Sequence, residues 1–451
     1  MKRLLVVVCL LVLTVSLNAN DYSFDEAYAR TLSKHEGLRA ARQEVKALHQ
    51  QKSSARGLHF STIGVSGRFT RINDPITIDL NGIRSAIQPL YPAGTNLPSF
   101  ELSVQDDKFF KAQAYATLPL YTGGKIASAN DAASANLSGA AAQADVLANQ
   151  LLVELATKYF GHLLAVQTVQ VREQFLQNAR QNASDAAKMF HAGTISKVEK
   201  MAVDVVLSQA KRDYTSSMND ADITQTLLKS LLAETQDIHP SSSLFVVPIE
   251  KLPLLTDFQN KALASNPTLA LLGSKRALSE ANEKAQRAEF LPSVYLFGTR
   301  ELCTHDLTLL EPDYAYGIGF AWNLFEGGQS YHKTKAAREQ TRHVEELYKQ
   351  QAKDITTAIA YYYEKMQNAQ ETYAALQDEL SFTQESYKAR QLGFKAGTAT
   401  SLEVNMALSQ WQKTQLDNLK AQYDFVVALA SLLNLSGQTA LFSQYLQGVY
   451  K

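Results

Sequence analysis

Leu120–Asn130 reads LYTGGKIASAN, an aromatic residue, a spacer and two glycines ahead of a lysine. Downstream, Leu324–Thr334 reads LFEGGQSYHKT, with the same core and no lysine after it. A phosphate loop needs G-x-x-x-x-G-K-[ST], so that glycines expose amides and a hydroxyl reaches magnesium. Here Lys125 is followed by Ile126 and Pro119 stands where the first glycine would be. The stretch is therefore read as a structural joint, used twice.

The joint sets the register of a repeat. A shift of 204 residues superposes Leu120 on Leu324, Gly123 on Gly327 and Gly124 on Gly328. Without a gap it also places Tyr159 on Tyr363, Phe190 on Phe394, Ala192-Gly193-Thr194 on Ala396-Gly397-Thr398, and Glu199 on Glu403. Upstream of the glycines the best shift becomes 231, placing Leu38 on Leu269, Arg56 on Arg287, Ile63 on Val294 and Gly67 on Gly298. The first copy thus carries an insertion within residues 72–107, where Pro75, Pro89, Pro92 and Pro98 predict a long loop.

Each copy reads as helix, strand, loop, strand, double glycine, very long helix, Ala-Gly-Thr break, helix. No proline occurs between Pro119 and Pro240 or after Pro312, as uninterrupted helix requires. Lys125 to Phe190 as one helix would be about 100 Å long. Its Ala-rich start allows close approach of other helices, and Leu151, Leu155, Tyr159 and Leu163 form an apolar stripe. The organisation expected is a signal peptide at 1–19, a first repeat at 20–240, a linker at 241–254, a second repeat at 255–440 and a tail at 441–451.

The signal reading rests on Met1-Lys2-Arg3 followed by the apolar Leu4–Leu17 run. Beyond it no apolar run reaches eighteen residues, so a β-barrel is the only way this chain could span a bilayer. Basic and acidic residues balance at 44 each, which gives no case for a nucleic-acid partner. Cys303 is the only thiol left after Cys9, so no internal disulfide is expected. The nine histidines are scattered without a zinc motif, and no nucleophile elbow is present. Neither an enzyme nor a cofactor site is expected.

In Ala315–Phe325, AYGIGFAWNLF, Tyr316, Ile318, Phe320, Trp322 and Leu324 alternate with small residues. In TIGVSGRFT, Ile63, Val65 and Phe69 alternate with polar or small ones. Such patterning fits strands between lipid and an aqueous lumen. Four strands are expected, near 59–70, 110–120, 292–301 and 315–324. Four cannot close a barrel, so several chains must contribute: two would give eight strands, three would give twelve and room for a pore.

The signal, the duplicated halves, LPLYTGGKIASA and WNLFEGGQSYHK at the joints, and FHAGTISKVE and FKAGTATSLEV at the helix breaks together resemble the TolC-type outer membrane efflux proteins. The resemblance implies a mainly α chain with a small membrane β-barrel: a homotrimer with twelve strands in the outer membrane of a Gram-negative bacterium and an α-helical barrel in the periplasm. It implies an exit duct for efflux or type I secretion, served by a periplasmic adaptor and an inner-membrane pump or ABC exporter. The competing reading is a periplasmic or secreted coiled-coil scaffold without a pore.

The resemblance also assigns Ala192, Gly193, Thr194, Ala396, Gly397 and Thr398 to adaptor-contacting tips, and makes Glu403 and Glu199 candidates for the pore entrance. Their spacing from Ser196 and Thr400 independently predicts capping boxes. Met406 replaces the second acidic residue of the family's pattern.

Overall fold

The computed structural model describes residues 20–304, 308 and 311–448; the expected signal segment lies outside them. The first half runs β1 (Asn20–Tyr22), α1 (Phe24–Lys34), α2 (Glu36–Gly57), β2 (Thr62–Arg71), β3 (Ile76–Asp79), α3 (Asn81–Ile87), β4 (Glu101–Gln105) and β5 (Lys108–Tyr121). It continues with α4 (Lys125–His191), α5 (Lys197–Leu232) and β6 (Ile238–Pro240). The second half runs α6 (Leu255–Ser265), α7 (Pro267–Arg287), β7 (Ser293–Glu301), β8 (Tyr314–Ala321), α8 (Gln329–Lys395), α9 (Ser401–Leu435) and α10 (Phe442–Leu446).

Each proline-free stretch contains one unbroken helix of 67 residues, α4 and α8. Both end where a glycine takes positive φ, Gly193 at 74° and Gly397 at 76°, a conformation open to a residue without Cβ.

The four expected strands form one antiparallel sheet in the order β2-β5-β7-β8. Its ladders test the repeat independently. Adding 231 to the β2 residue and 204 to its β5 partner carries Thr62↔Thr117 onto Ser293↔Ala321, and Phe69↔Phe110 onto Arg300↔Tyr314. The two hairpins therefore share one register.

The 72–107 insertion is more ordered than its composition predicts. β3 and β4 pair antiparallel, with a register shift after Ile76, and α3 lies between them. The alternation Ile76-Thr77-Ile78 opposite Leu102-Ser103 supplies the pairing; four residues are too few to stand out among turn formers. A parallel β1–β6 pair, Asn20↔Ile238 to Tyr22↔Pro240, has no signature in the sequence pattern either.

The chain forms two compact units. One takes the chain through Val45, Ala140–Leu272 and Leu347 onward; the other takes Lys46–Gly139 and Gly273–Glu346. The first is mainly helical, with β1, β6 and the segment 241–254, around a core of Phe24, Leu155, Tyr159, Phe160, Phe258, Phe425 and Phe442. Phe24 is its hub, 4.7 Å from Phe442 and edge-on to Tyr159 at 5.5 Å between centroids. Tyr159 is buried with its hydroxyl satisfied: it donates to the Tyr22 carbonyl (2.6 Å) and accepts from the Ser242 amide (3.0 Å). Leu244, Val247 and Leu252 from residues 241–254 join this core, as do Phe442 and Tyr445 from the last helix. The second unit holds the four-stranded sheet and the β3–β4 pair.

Candidate functional site

The sheet has two chemically distinct faces. Its registers place Ile63, Val65 and Phe69 of β2, Ala114, Ala116 and Leu118 of β5, Leu296 of β7, and Tyr316, Ile318 and Phe320 of β8 on one side. The large members are open to the surroundings: Ile63 is 77% exposed, Tyr316 83% and Phe320 76%. A continuous apolar face of this kind in a folded chain marks a membrane or protein contact.

The opposite side carries Ser66, Arg68 and Thr70 of β2, Lys111, Gln113 and Thr117 of β5, and Thr299 and Glu301 of β7. Gln113 donates to Glu301 (2.8 Å), and Lys111 pairs with Glu311 from the β7–β8 connection. This side is also where glycines accept aromatic neighbours. A Cβ on Gly64 would lie 2.5 Å from the Tyr115 ring, and one on Gly319 2.5 Å from the Tyr295 ring. Small residues on one strand thus make room for rings from the next.

Both joints place two consecutive glycines at positive φ. Gly123 and Gly124 have φ of 63° and 92°, Gly327 and Gly328 of 62° and 82°. Each turn is closed by the same bond, Lys125 N–H to Thr122 O (3.1 Å) and Gln329 N–H to Glu326 O (3.1 Å). Lys125, the residue that suggested a phosphate loop, pairs with Glu289 at 3.0 Å.

The helix breaks also match each other. At the first, Thr194 N–H donates to Met189 O and Ser196 caps α5, with the Glu199 carboxylate accepting from the Ser196 amide at 2.8 Å. At the second, Thr398 N–H donates to Gly393 O and Thr400 caps α9, with Glu403 accepting from the Thr400 amide at 2.8 Å and its hydroxyl at 3.1 Å. These two donors, with Arg390 at 2.9 Å, hold the Glu403 carboxyl below its ordinary value. The Arg390 pair spans thirteen residues across the break, and no local pattern announces it. Around the breaks Phe394, Val203, Val404 and Leu408 are buried, and Tyr387 stacks on Trp411 at 5.6 Å. Ala192, Gly193, Thr194, Ala396, Gly397 and Thr398 thus sit together at the two turns, each an ordered helix end.

Among the described residues no helix is long and apolar enough to cross a membrane.

A family model described as outer membrane efflux protein matches residues 27–234 and 259–438, one match in each repeat. The alkaline protease secretion protein AprF of Pseudomonas aeruginosa is 25% identical over 308 residues, which cover 64% of this chain and 61% of AprF. The chain therefore spans about three fifths of the curated relative it matches. The outer membrane channel CmeC of Campylobacter jejuni superposes with a TM-score of 0.74 at 13% identity, covering 95% of this chain and 89% of CmeC. The outer membrane protein VceC of Vibrio cholerae superposes with a TM-score of 0.72 at 14% identity, covering 92% and 96%.

Proposed function

The chain belongs to the outer membrane efflux protein family, and on that premise we propose that three copies close their sheets into a twelve-stranded outer membrane barrel that serves as an exit duct. The observation that carries this reading is the four-stranded sheet itself: one face apolar except for Arg300 and the Arg71–Lys108 end, the other carrying Arg68, Lys111, Gln113 and Glu301, and neither β2 nor β8 paired on its outer side among the described strands. An open edge is not tolerated in hydrocarbon, because unpaired backbone groups each cost several kcal/mol there, on the order of the cost of an unmade hydrogen bond. Eight strands would fill their own lumen with side chains, whereas twelve leave a passage. The polar face then lines that passage and the apolar face meets lipid.

A duct of this kind performs no chemistry. A periplasmic adaptor would dock at the turns 192–194 and 396–398 and link the duct to an inner-membrane pump or ABC exporter. Likeness to AprF, by name a protease secretion protein, supports protein cargo; the family's efflux designation supports small molecules. Glu403 and Glu199 would stand near the entrance, with the carboxylate of Glu403 offset by Arg390.

Fractionation followed by native mass measurement tests the proposal. A trimer extracted from outer membranes by detergent that conducts ions in planar bilayers is the expected result. Recovery as a soluble periplasmic monomer would favour the coiled-coil scaffold and defeat the duct.

A further inference from the structure

The internal duplication specifies how neighbouring copies meet. Within one chain β5, the last strand of the first hairpin, pairs with β7, the first strand of the second: Ala114↔Arg300, Ala116↔Gly298, Thr117↔Phe297 and Leu118↔Leu296. The outer edge of β8 is the repeat equivalent of the β5 edge, and β2 is the equivalent of β7. Moving 204 residues forward from β5 and 231 back from β7 turns the observed ladder into one between two chains. We propose that β8 of one copy, with Trp322 directly after it, pairs antiparallel with β2 of the next in the register Ile318↔Phe69, Phe320↔Gly67, Ala321↔Ser66 and Trp322↔Val65.

Three observations support this register. First, the same two shifts already convert the β2–β5 ladder into the β7–β8 ladder without slippage. Second, the derived pairs keep the faces matched. Ile318 and Phe320 lie on the apolar side with Val65 and Phe69, whereas a slip of one residue would turn apolar side chains to the polar side. Arg68, the polar-side cation of β2, falls opposite Gly319, beside the Tyr295 ring that covers that glycine.

Third, the joints differ as a missing neighbour predicts. A Cβ on Gly123 would lie 2.7 Å from Leu291 Cβ and 3.0 Å from Ala288 O, so the α7–β7 turn covers the first joint. At Gly327 nothing lies within 4 Å. Shifting Leu291 and Ala288 back by 231 gives Phe60 and Gly57, in the α2–β2 turn, and Phe60 is 71% exposed. The bare second joint and the uncovered Phe60 turn are the two halves of a contact that a second copy completes.

This inference rests on the trimeric reading, and disulfide cross-linking separates the two. In a Cys303→Ser background, Ile318→Cys is combined with Phe69→Cys on the lipid side, and Ala321→Cys with Ser66→Cys on the lumen side. Two slipped controls combine Ile318→Cys with Gly67→Cys and Ala321→Cys with Gly64→Cys. Directly opposed Cβ atoms stand about 5 Å apart and diagonal ones about 7 Å, and a disulfide needs about 4 Å. Purified detergent-extracted protein is oxidised and run without reductant. At least one in-register pair, whichever has the closer non-hydrogen-bonded geometry, is expected to give about fivefold more covalent dimer and trimer than its slipped control.

A slipped pair that cross-links better, or a native trimer that cross-links at none of the four, overturns the register while leaving the trimer intact. A monomer by native mass overturns the trimeric reading itself.

Discussion

The joint at Gly123–Gly124 and the joint at Gly327–Gly328 share dihedral angles and a closing hydrogen bond, yet one is packed and the other is bare. Duplication copied the backbone but not the surroundings, which later segments of the chain must provide. The first joint precedes a second repeat whose α7–β7 turn covers it. At the second nothing among the described residues covers the glycine, and in the proposed trimer the next copy would supply the cover. The lesson is that in a duplicated chain the difference between equivalent positions identifies the surface where another copy belongs.

That comparison is broken most severely at the covered joint. Gly123→Ala forces a Cβ onto Leu291 and places alanine at φ 63°. The left-handed conformation and the overpacking together are expected to cost about 3 kcal/mol. Gly327→Ala bears only the conformational cost of about 1–2 kcal/mol in an isolated chain. Denaturant unfolding of dissociated and assembled protein checks this: the gap between the variants should be wide in the monomer and narrow in the trimer.

A second contrast lies in the helical core. Tyr159 and Tyr363 are repeat equivalents, but Tyr159 alone joins Tyr22 O to the Ser242 amide. Tyr159→Phe leaves that half-buried amide without its partner and is expected to lower stability by about 1–2 kcal/mol. Tyr363 packs against Phe258 at 6.2 Å, and Tyr363→Phe keeps that contact, so its effect should stay within about 0.5 kcal/mol. Equal losses in thermal unfolding would show that the tyrosines do the same work.

The smallest contrast is at the breaks. Ser196→Ala and Thr400→Ala each remove an N-cap worth about 1 kcal/mol. The second break adds a pH dependence. The Glu403 carboxyl is held below its ordinary value of 4.5 by the Thr400 amide and hydroxyl, with Arg390 beside it. Its contribution is complete above pH 4.5 and is lost as pH falls through the lower folded-state value. The protection factors of the amides at residues 396–404, which correct for the intrinsic pH dependence of exchange, should therefore fall on acidification below that point, and Glu403→Gln should abolish the dependence. If Glu403 also lines the entrance, Glu403→Ala will reduce cation selectivity in planar bilayers; unchanged selectivity with faster exchange leaves capping as its role.

Much of this was legible in the sequence because it is written locally. Glycine pairs mark bends, period-two alternation marks the strand faces, and missing proline marks the long helices. Ser196 with Glu199 and Thr400 with Glu403 carry their capping chemistry within four residues. The illegible remainder depends on distance along the chain. The β1–β6 pair joins three residues to three others more than two hundred positions away, and the Arg390–Glu403 pair has no periodic signature. Residues 241–254 read as a linker, yet Leu244, Val247 and Leu252 enter the core because three spaced apolar residues find partners only after the helices assemble.

The unpaired edges of β2 and β8 have a kinetic consequence. A lone sheet cannot enter hydrocarbon without burying a row of naked amides and carbonyls, so insertion waits for the neighbours. Helical folding is available to each chain separately, whereas strand closure is a collective event. The rate of appearance in vesicles should therefore rise more steeply than linearly with protein concentration, and a chain delivered too sparsely to find two others would remain on the periplasmic side, folded but unplaced.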